Sequence, residues 1–186
     1  WLPRPLTLVA CATALALYIP LYEAIAAYAG WWRYTGTPSF AGIVPHYILL
    51  GEWLLVVGTE RPNPSEMTDF NVLTFNGAVF PATAPMVVKK GQRVRIRIGN
   101  LSAMDHHPIH LHGHAFTVIA TDGGTIPAQA RWPETAVLVA VGQTRTVEFF
   151  ADNPGDWAMH CHMTHHVMTQ MGHGVPNLVG VDPSLF

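Results

Sequence analysis

Two short, separated histidine-rich segments constrain this chain more than any other feature of its sequence. Residues 107–114 read His-Pro-Ile-His-Leu-His-Gly-His, and residues 160–171 read His-Cys-His-Met-Thr-His-His-Val-Met-Thr-Gln-Met. The chain has 11 histidines, and all except His46 lie at or after His106. The second segment adds a thiol and a thioether on the same short loop. Such grouping of soft sulfur and imidazole donors is typical of a transition-metal site.

The donor types of the second segment match a blue-copper site. That kind of site takes two histidine nitrogens, one cysteine thiolate and a weak axial methionine. Four residues separate Cys161 from His166, and four separate His166 from Met171, which suits a loop that folds back around one ion. The second histidine must then come from the first segment. A Cys₂His₂ zinc site fits less well, because it needs two neighbouring cysteines and Cys11 lies in a distant apolar run.

The remaining histidines of the two segments occur as alternating pairs. His110 and His112 form one pair, and His160 and His162 form the other. In extended backbone, residues i and i+2 project to the same side of a strand. A lone buried histidine is more often a hydrogen-bonded core residue, which is the interpretation we favour for His46. Paired clusters favour metal ligands instead.

Both segments resemble the last cupredoxin domain of the multicopper oxidases, the laccase-like family. The likeness covers roughly residues 69–182 and includes Gly-Asp-Trp at 155–157. It implies a set of type 1 copper ligands, namely His107, Cys161, His166 and Met171. It also implies ligands to a trinuclear type 2/type 3 copper cluster, namely His110, His112, His160 and His162. In the family, the His-Cys-His tripeptide carries electrons between the two centres.

Two histidine doublets require a choice of ligand. In the family pattern, one type 1 histidine directly precedes the proline of the first segment, and the other follows His162 by four residues. This pattern favours His107 over His106 and His166 over His165. The copper nitrite reductases, a related family, lack the second histidine of His-Cys-His and have a longer gap from cysteine to histidine. The laccase-like pattern is therefore the better match.

The resemblance also implies that only half of the trinuclear cluster is encoded here. We expect a second cupredoxin domain, a partner chain or a homo-oligomer to supply the other half, with O2 and a small reductant such as a phenol or Cu(I) as substrates. One alternative is a membrane-tethered electron-transfer cupredoxin with a single copper. Another is copper sequestration without turnover. The chain begins with Trp1, so we expect a processed protein or a fragment of a longer one.

A hydrophobic membrane segment, with one or two spans, is predicted over residues 1–58. Residues 6–29 are mostly apolar, and about 20 apolar residues span a bilayer core. We therefore predict a transmembrane helix there. The apolar stretch of a signal peptide is shorter, at ~7–15 residues. A lipoprotein cleavage box ending in Cys11 is the weaker alternative, because the apolar run continues beyond it.

The number of spans decides the expected topology. Residues 43–57 form a second apolar stretch, which we interpret as a short second span, an interfacial segment or a packed helix. Arg4 precedes the first span and favours a cytoplasmic N-terminus. With one span, the copper domain would be membrane-anchored and extracytoplasmic, either periplasmic or extracellular.

The rest of the chain is predicted to be a linker, residues 59–68, followed by an all-β Greek-key sandwich, the cupredoxin domain, over residues 69–182. Many short strand-like runs separated by turn signals indicate such a sandwich. The runs are 70–75, 86–88, 93–98, 116–121, 135–139, 144–150 and 178–181. In residues 93–98, arginines alternate with Val and Ile, which is typical of a half-exposed strand.

Composition excludes one functional class. Charged residues make up 12% of the chain, against a usual ~25%, and the formal net charge is −2. The basic residues near the start of the sandwich follow a strand face and form no larger patch. Nucleic-acid binding is therefore not expected.

Overall fold

The computed structural model describes residues 42–56 and 58–167, which are built almost entirely from β-strands. In chain order the strands are β1 (Ile43–Trp53), β2 (Val72–Phe75), β3 (Arg93–Asn100), β4 (His107–Leu111), β5 (Phe116–Thr121), β6 (Gly124–Thr125), β7 (Trp132–Glu134), β8 (Ala136–Val139), β9 (Thr144–Phe150) and β10 (Met159–Cys161). A 3₁₀ turn, Ala128–Ala130, precedes β7, and a short helix, α1 (Thr164–Val167), follows β10.

Pairing divides these strands between a larger and a smaller sheet. The larger sheet has the order β2-β1-β3-β9-β5-β6, and β7 also pairs with β5. The smaller sheet has the order β10-β4-β8. Strands β1 and β3 run parallel, whereas β4 pairs antiparallel with both of its neighbours. The smaller sheet therefore brings the two histidine-rich segments side by side.

Alternation along β3 shows how the larger sheet separates core from solvent. Val94 and Ile98 are at most 1% exposed. At alternate positions, Arg93 and Arg95 point outward and form ion pairs with Glu148 on the adjacent strand β9. The Nε atom of Arg95 donates to Oε2 of Glu148 at 3.0 Å. The half-exposed strand predicted at residues 93–98 is confirmed.

The core lies between the two sheets. Ile96 and Val147 of the larger sheet belong to the same buried cluster as Ile109, Val139 and Cys161 of the smaller one. Packing of two sheet faces against each other is the architecture of a β-sandwich. The predicted mostly β fold is therefore confirmed, and the cysteine of the second segment is part of its core.

The interpretation of residues 43–57 as a membrane span, an interfacial segment or a packed helix is wrong. Ile43–Trp53 is strand β1 and lies between β2 and β3. Tyr47, Leu49 and Trp53 are 46%, 50% and 45% exposed and alternate with buried positions. Because apolar side chains occupy outward positions as well, the two-residue period is hidden, and an apolar run alone does not distinguish strand from helix. The sheet thus begins before the predicted linker.

The strands predicted at 70–75, 93–98, 116–121, 135–139 and 144–150 are confirmed as β2, β3, β5, β8 and β9. Residues 86–88 form no strand, although Met86 and Val88 pack against the core. Strands β4, β6, β7 and β10 were not among the predicted strands, and the sequences of β4 and β10 were interpreted as ligand motifs. The predicted transmembrane helix at 6–29 and the predicted strand at 178–181 lie outside the described residues. Within 42–56 and 58–167, no helix combines the length and apolar character needed to cross a membrane.

Truncating a buried leucine of β1 tests whether this strand belongs to the sandwich. Leu50 is 2% exposed, whereas its neighbour Leu49 is 50% exposed. Leu50→Ala leaves a cavity and should lower the free energy of unfolding of the metal-free chain by about 2–5 kcal/mol. Leu49→Ala, the matched control, should cost less than about 1 kcal/mol. Urea unfolding followed by circular dichroism measures both, and equal losses would contradict the assignment of β1.

Candidate metal centre

Three of the four predicted type 1 ligands converge in the core. The Nδ1 atoms of His107 and His166 are 3.1 Å apart, and Sγ of Cys161 is 3.3 Å from Nδ1 of His166. One donor atom from each residue lies within 4.8 Å of the other two. All three residues are at most 8% exposed. Met171, the predicted axial ligand, lies outside the described residues.

Strand pairing accounts for this convergence. His107 opens β4, Cys161 ends β10, and the two strands pair in the register that sets Cys161 opposite Ile109. The backbone N–H of His162 donates to the carbonyl of Pro108 at 2.7 Å and extends the pairing by one residue. Helix α1 then turns His166 back over the cysteine. Antiparallel pairing, rather than sequence proximity, therefore brings the first histidine to the thiol.

The four predicted trinuclear-cluster ligands form a second group. Ring centroids of neighbouring members are 4.8–5.6 Å apart. The group consists of His110, His112, His160 and His162. The Nε2 atoms of His112 and His160 are 3.0 Å apart. Carbonyl oxygens of Thr135 and Cys161 lie 2.6 and 2.8 Å from Nδ1 of His110 and His160, respectively. These contacts leave the Nε2 atoms of both rings as the available donors.

The two groups differ in their exposure to solvent. In β4, His107, Ile109 and Leu111 are buried, whereas His110 between them is half-buried. His112 and His162 are exposed. Because side chains alternate across a strand, the pairs of histidines project to the opposite side from the cysteine. The first group is enclosed by the core, and the second group opens to solvent.

A tryptophan fixes the loops that carry the second group. Gly113 has a φ of +71°, and a Cβ there would lie 2.2 Å from the ring of Trp157. Nε1 of Trp157 donates to the carbonyl of Asn153 at 2.9 Å, and Nδ2 of Asn153 donates to the carbonyl of Gly113 at 3.0 Å. Glycine is required here by both the close approach and the backbone conformation. The contact ties the loop after β4 to the loop before β10.

Polar side chains also surround the first group. Oγ of Ser102 lies 2.7 Å from Nε2 of His107, and Oε1 of Glu52 lies 3.0 Å from the same atom. Oδ2 of Asp105 lies 3.8 Å from Nε2 of His166, which is beyond hydrogen-bond range. The sequence did hold a clue to Glu52, because it is an acidic residue inside an otherwise apolar segment. A buried carboxylate requires a partner.

Three further histidines, His46, His106 and His114, join neither group, and His165 contacts the first group only through the ring of His166, at 4.5 Å between centroids. His46 is buried, and burial lowers its pKa to about 4. The ring of His114 packs 5.0 Å from that of Phe149. Nδ1 of His106 accepts the backbone N–H of Val141 at 3.2 Å. Of the neighbouring residues His106 and His107, the structure therefore places only His107 in the first group.

The two histidines of the first group have pKa values shifted in opposite directions. Burial lowers the pKa of His107, but hydrogen bonds and charge from Cys161 and Glu52 outweigh it and raise that pKa to about 9. Burial, followed by the charge of His107, lowers the pKa of His166 to about 4. Burial raises the pKa of Glu52, but the hydrogen bond and charge of His107 leave it lowered overall.

The donor set of the first group fits copper. One thiol sulfur and two imidazole nitrogens, buried and converging, are the equatorial donors of a blue-copper site. Cys161 is a free thiol, so no disulfide competes for its sulfur. The second group offers only imidazole nitrogens, which also suit copper.

Comparison with known proteins agrees with this donor set. The sequence profile of the multicopper oxidase family matches residues 57–180, and that of a domain of unknown function, DUF6989, matches residues 2–61. The chain therefore belongs to the multicopper oxidase family. Its described part has the cupredoxin-like fold of that family.

Similar proteins are considerably longer than this chain. It is 40% identical to multicopper oxidase MmcO of Mycobacterium tuberculosis, over 53% of this chain and 18% of that protein. It is 32% identical to laccase-3 of Thanatephorus cucumeris, over 63% and 21% of the two chains. It is 35% identical to copper resistance protein A of Escherichia coli, over 50% and 14%. The chain thus spans about a fifth or less of these curated relatives.

Solved structures show the same fold. The multicopper oxidase mgLAC superposes with a TM-score of 0.58 at 28% identity, covering 69% of this chain and 40% of that one. The blue copper oxidase of Nitrosomonas europaea gives a TM-score of 0.56 at 28% identity, covering 69% and 39%.

The raised pKa of His107 predicts a pH dependence of metal uptake. A metal at Nδ1 must displace a proton from the doubly protonated ring. The apparent Zn(II) affinity of the first group should therefore rise as pH increases towards about 9 and then level off. Competition with a chelator, measured at a series of pH values, determines the profile. A profile that levels off near the ordinary histidine pKa of 6.5 would contradict the assigned charge state.

Proposed function

We propose that this chain binds copper through His107, Cys161, His166 and Met171, as the electron-entry site of an oxidase. His110, His112, His160 and His162 contribute half of a second, trinuclear copper centre, where O2 is reduced. A second cupredoxin domain, a partner chain or another copy of this chain supplies the other half. Copper bound at the first group supplies one-electron redox chemistry between the reductant and that second centre.

One observation carries this proposal. Cys161 belongs to the buried first group, while His160 and His162, its immediate neighbours, belong to the second. The tripeptide therefore joins the two groups through covalent bonds. No such arrangement is required for a site that only sequesters copper, because a storage site needs donors but no second group beside them.

The protein's contribution to the first site is enclosure and orientation. His107 and His166 present their Nδ1 atoms towards one another at 3.1 Å, and the core excludes water from Cys161. Burial of the cysteine beside two imidazoles keeps a soft donor in place and limits its reaction with species from solvent. Ser102 and Glu52 approach the opposite nitrogen of His107 and fix the plane of its ring.

The exposure of the second group supports the proposal that residues of another domain or chain complete the trinuclear centre. His112 and His162 are exposed, and neighbouring ring centroids of the second group lie 4.8–5.6 Å apart. Symmetry offers one route, since a two-fold dimer places the same patch opposite itself. A second domain or partner chain is the route we favour, because the matched stretches cover only 14–21% of these relatives.

The proposed reductant is a phenol or Cu(I). Relatives named as laccases and as a copper resistance protein support these two classes. Met159 and Met163 pack against the core, which favours a packing role over a surface Cu(I) site for these two thioethers. We also propose that the domain works outside the cytoplasm, tethered through residues 6–29.

Replacing Cys161 by serine tests the first site. Loss of the thiolate should abolish the intense sulfur-to-Cu(II) absorption in the visible spectrum, because a hydroxyl cannot replace the charge donated by sulfur. Met171→Leu is the comparison variant: it should keep the colour and raise the reduction potential, since the axial ligand is weak. A blue Cys161→Ser protein would refute the ligand assignment, and an unchanged potential in Met171→Leu would refute the axial role.

Copper stoichiometry and oxygen uptake test the second site. The purified chain alone should hold one blue copper and consume little O2 with a phenolic donor, because half of the second centre is absent. Robust oxygen uptake by the chain alone would refute the need for another domain or chain and favour the symmetric dimer. In that case the double variant His110→Ala/His162→Ala should lose turnover and keep the blue copper. Binding of a single copper even after the partner is supplied would favour an electron-transfer module.

A further inference from the structure

Glu52 is a buried carboxylate that lies outside the part of the chain matched by the multicopper oxidase family. It belongs to β1, within residues 2–61, and the family match begins at residue 57. Its side chain is 0% exposed. Burying an ionised carboxylate is costly unless it is paired or hydrogen-bonded. A position on an apolar strand therefore calls for a specific partner.

The partner is the ring of His107. Oε1 of Glu52 is 3.0 Å from Nε2 of that ring. Among the described residues, Oε1 makes no contact that meets hydrogen-bond geometry, so its 3.0 Å contact with the ring is an ion pair. The backbone N–H of Asp105 donates to Oε2 at 3.4 Å, which is a long contact. Ser102 Oγ lies 2.7 Å from the same ring nitrogen.

The two nitrogens of His107 thus face different groups. Nδ1 faces His166 Nδ1 and the cysteine sulfur, whereas Nε2 faces Glu52. A metal-bound histidine usually donates its other N–H to a carboxylate or carbonyl, which fixes the tautomer and makes the ligand more basic. The carboxylate of Glu52 lies beside Nε2, where such a group is expected. It belongs to β1, which is far from Cys161 in the sequence.

We propose that Glu52 is a positioning residue for the copper site: its carboxylate pairs with the Nε2 side of His107, holds Nδ1 towards the metal, and adds a negative charge that favours Cu(II) over Cu(I). This inference rests on the proposed function, since it takes His107 as a copper ligand. It also gives β1 a role beyond the sheet, because the strand that precedes the family match sets the properties of the site.

Two substitutions separate the charge from the polar contact. Glu52→Gln keeps a polar oxygen beside Nε2 of His107 and removes only the charge. Glu52→Leu removes both. Glu148→Gln is the control, because Glu148 is another buried carboxylate and its partners are Arg93 and Arg95 instead of the copper site. All variants are made in the full chain, and circular dichroism establishes that each is folded.

The measurements are the reduction potential of the bound copper, the Cu(II) and Cu(I) affinities by chelator competition, and the Cu(II) electron paramagnetic resonance spectrum. Glu52→Gln should raise the potential, with Cu(II) affinity falling more than Cu(I) affinity, and should keep the wild-type spectrum. Glu52→Leu should raise the potential too, alter the spectrum and weaken Cu(II) binding by about 10–100-fold. Glu148→Gln should leave potential and spectrum unchanged.

The outcomes distinguish this inference from the proposed function. A wild-type chain without the sulfur-to-Cu(II) absorption refutes the copper assignment itself. A wild-type chain with that absorption, and a folded Glu52→Gln variant with an unchanged potential, refutes only the role of Glu52. If Glu52→Leu does not fold, Glu52→Gln still decides the charge, and the ¹⁵N resonances of His107 in the Zn(II)-loaded wild type decide the tautomer. A ring protonated at Nδ1 instead of Nε2 would overturn the proposal.

Discussion

The register between β4 and β10 is the constraint on which the site depends. It sets His160 opposite His110 and Cys161 opposite Ile109. A slip of one residue would move every side chain of β10 to the other face of the sheet. The cysteine would then leave the core, and His160 would enter it. Both candidate metal groups therefore follow from one pairing of two short strands.

The sandwich holds this register by enclosing the cysteine. Ile109 is 0% exposed and belongs to the same buried cluster as Cys161. On the other side of β4, the antiparallel partner is β8, which pairs Val139 with His107. Asn100, at the end of β3, donates to the carbonyls of Asp105 and Val139. The loop before His107 is thus tied to both sheets.

The sequence predicted the ligand residues better than the strands that hold them. Donor types pointed to Cys161, because the chemistry of a soft-metal site allows few residue types, and the resemblance to the family selected His166 over His165. The pattern did not reveal β1, since its outward positions are apolar too. Nor did it reveal Glu52, because its contact with His107 joins residues far apart in sequence and depends on the parallel pairing of β1 with β3.

Because the two groups differ in burial, their metal affinities depend on different parts of the protein. The enclosed group gathers a thiol and two imidazoles within one chain, so its metal affinity is a property of this fold. The open group leaves His112 and His162 exposed, so its affinity depends on what covers that face. Under the proposed function, the first site can therefore take up metal before the second is complete. The tripeptide His160-Cys161-His162 links the two groups. Under the same proposal, the domain or chain that covers the second group therefore completes the oxidase.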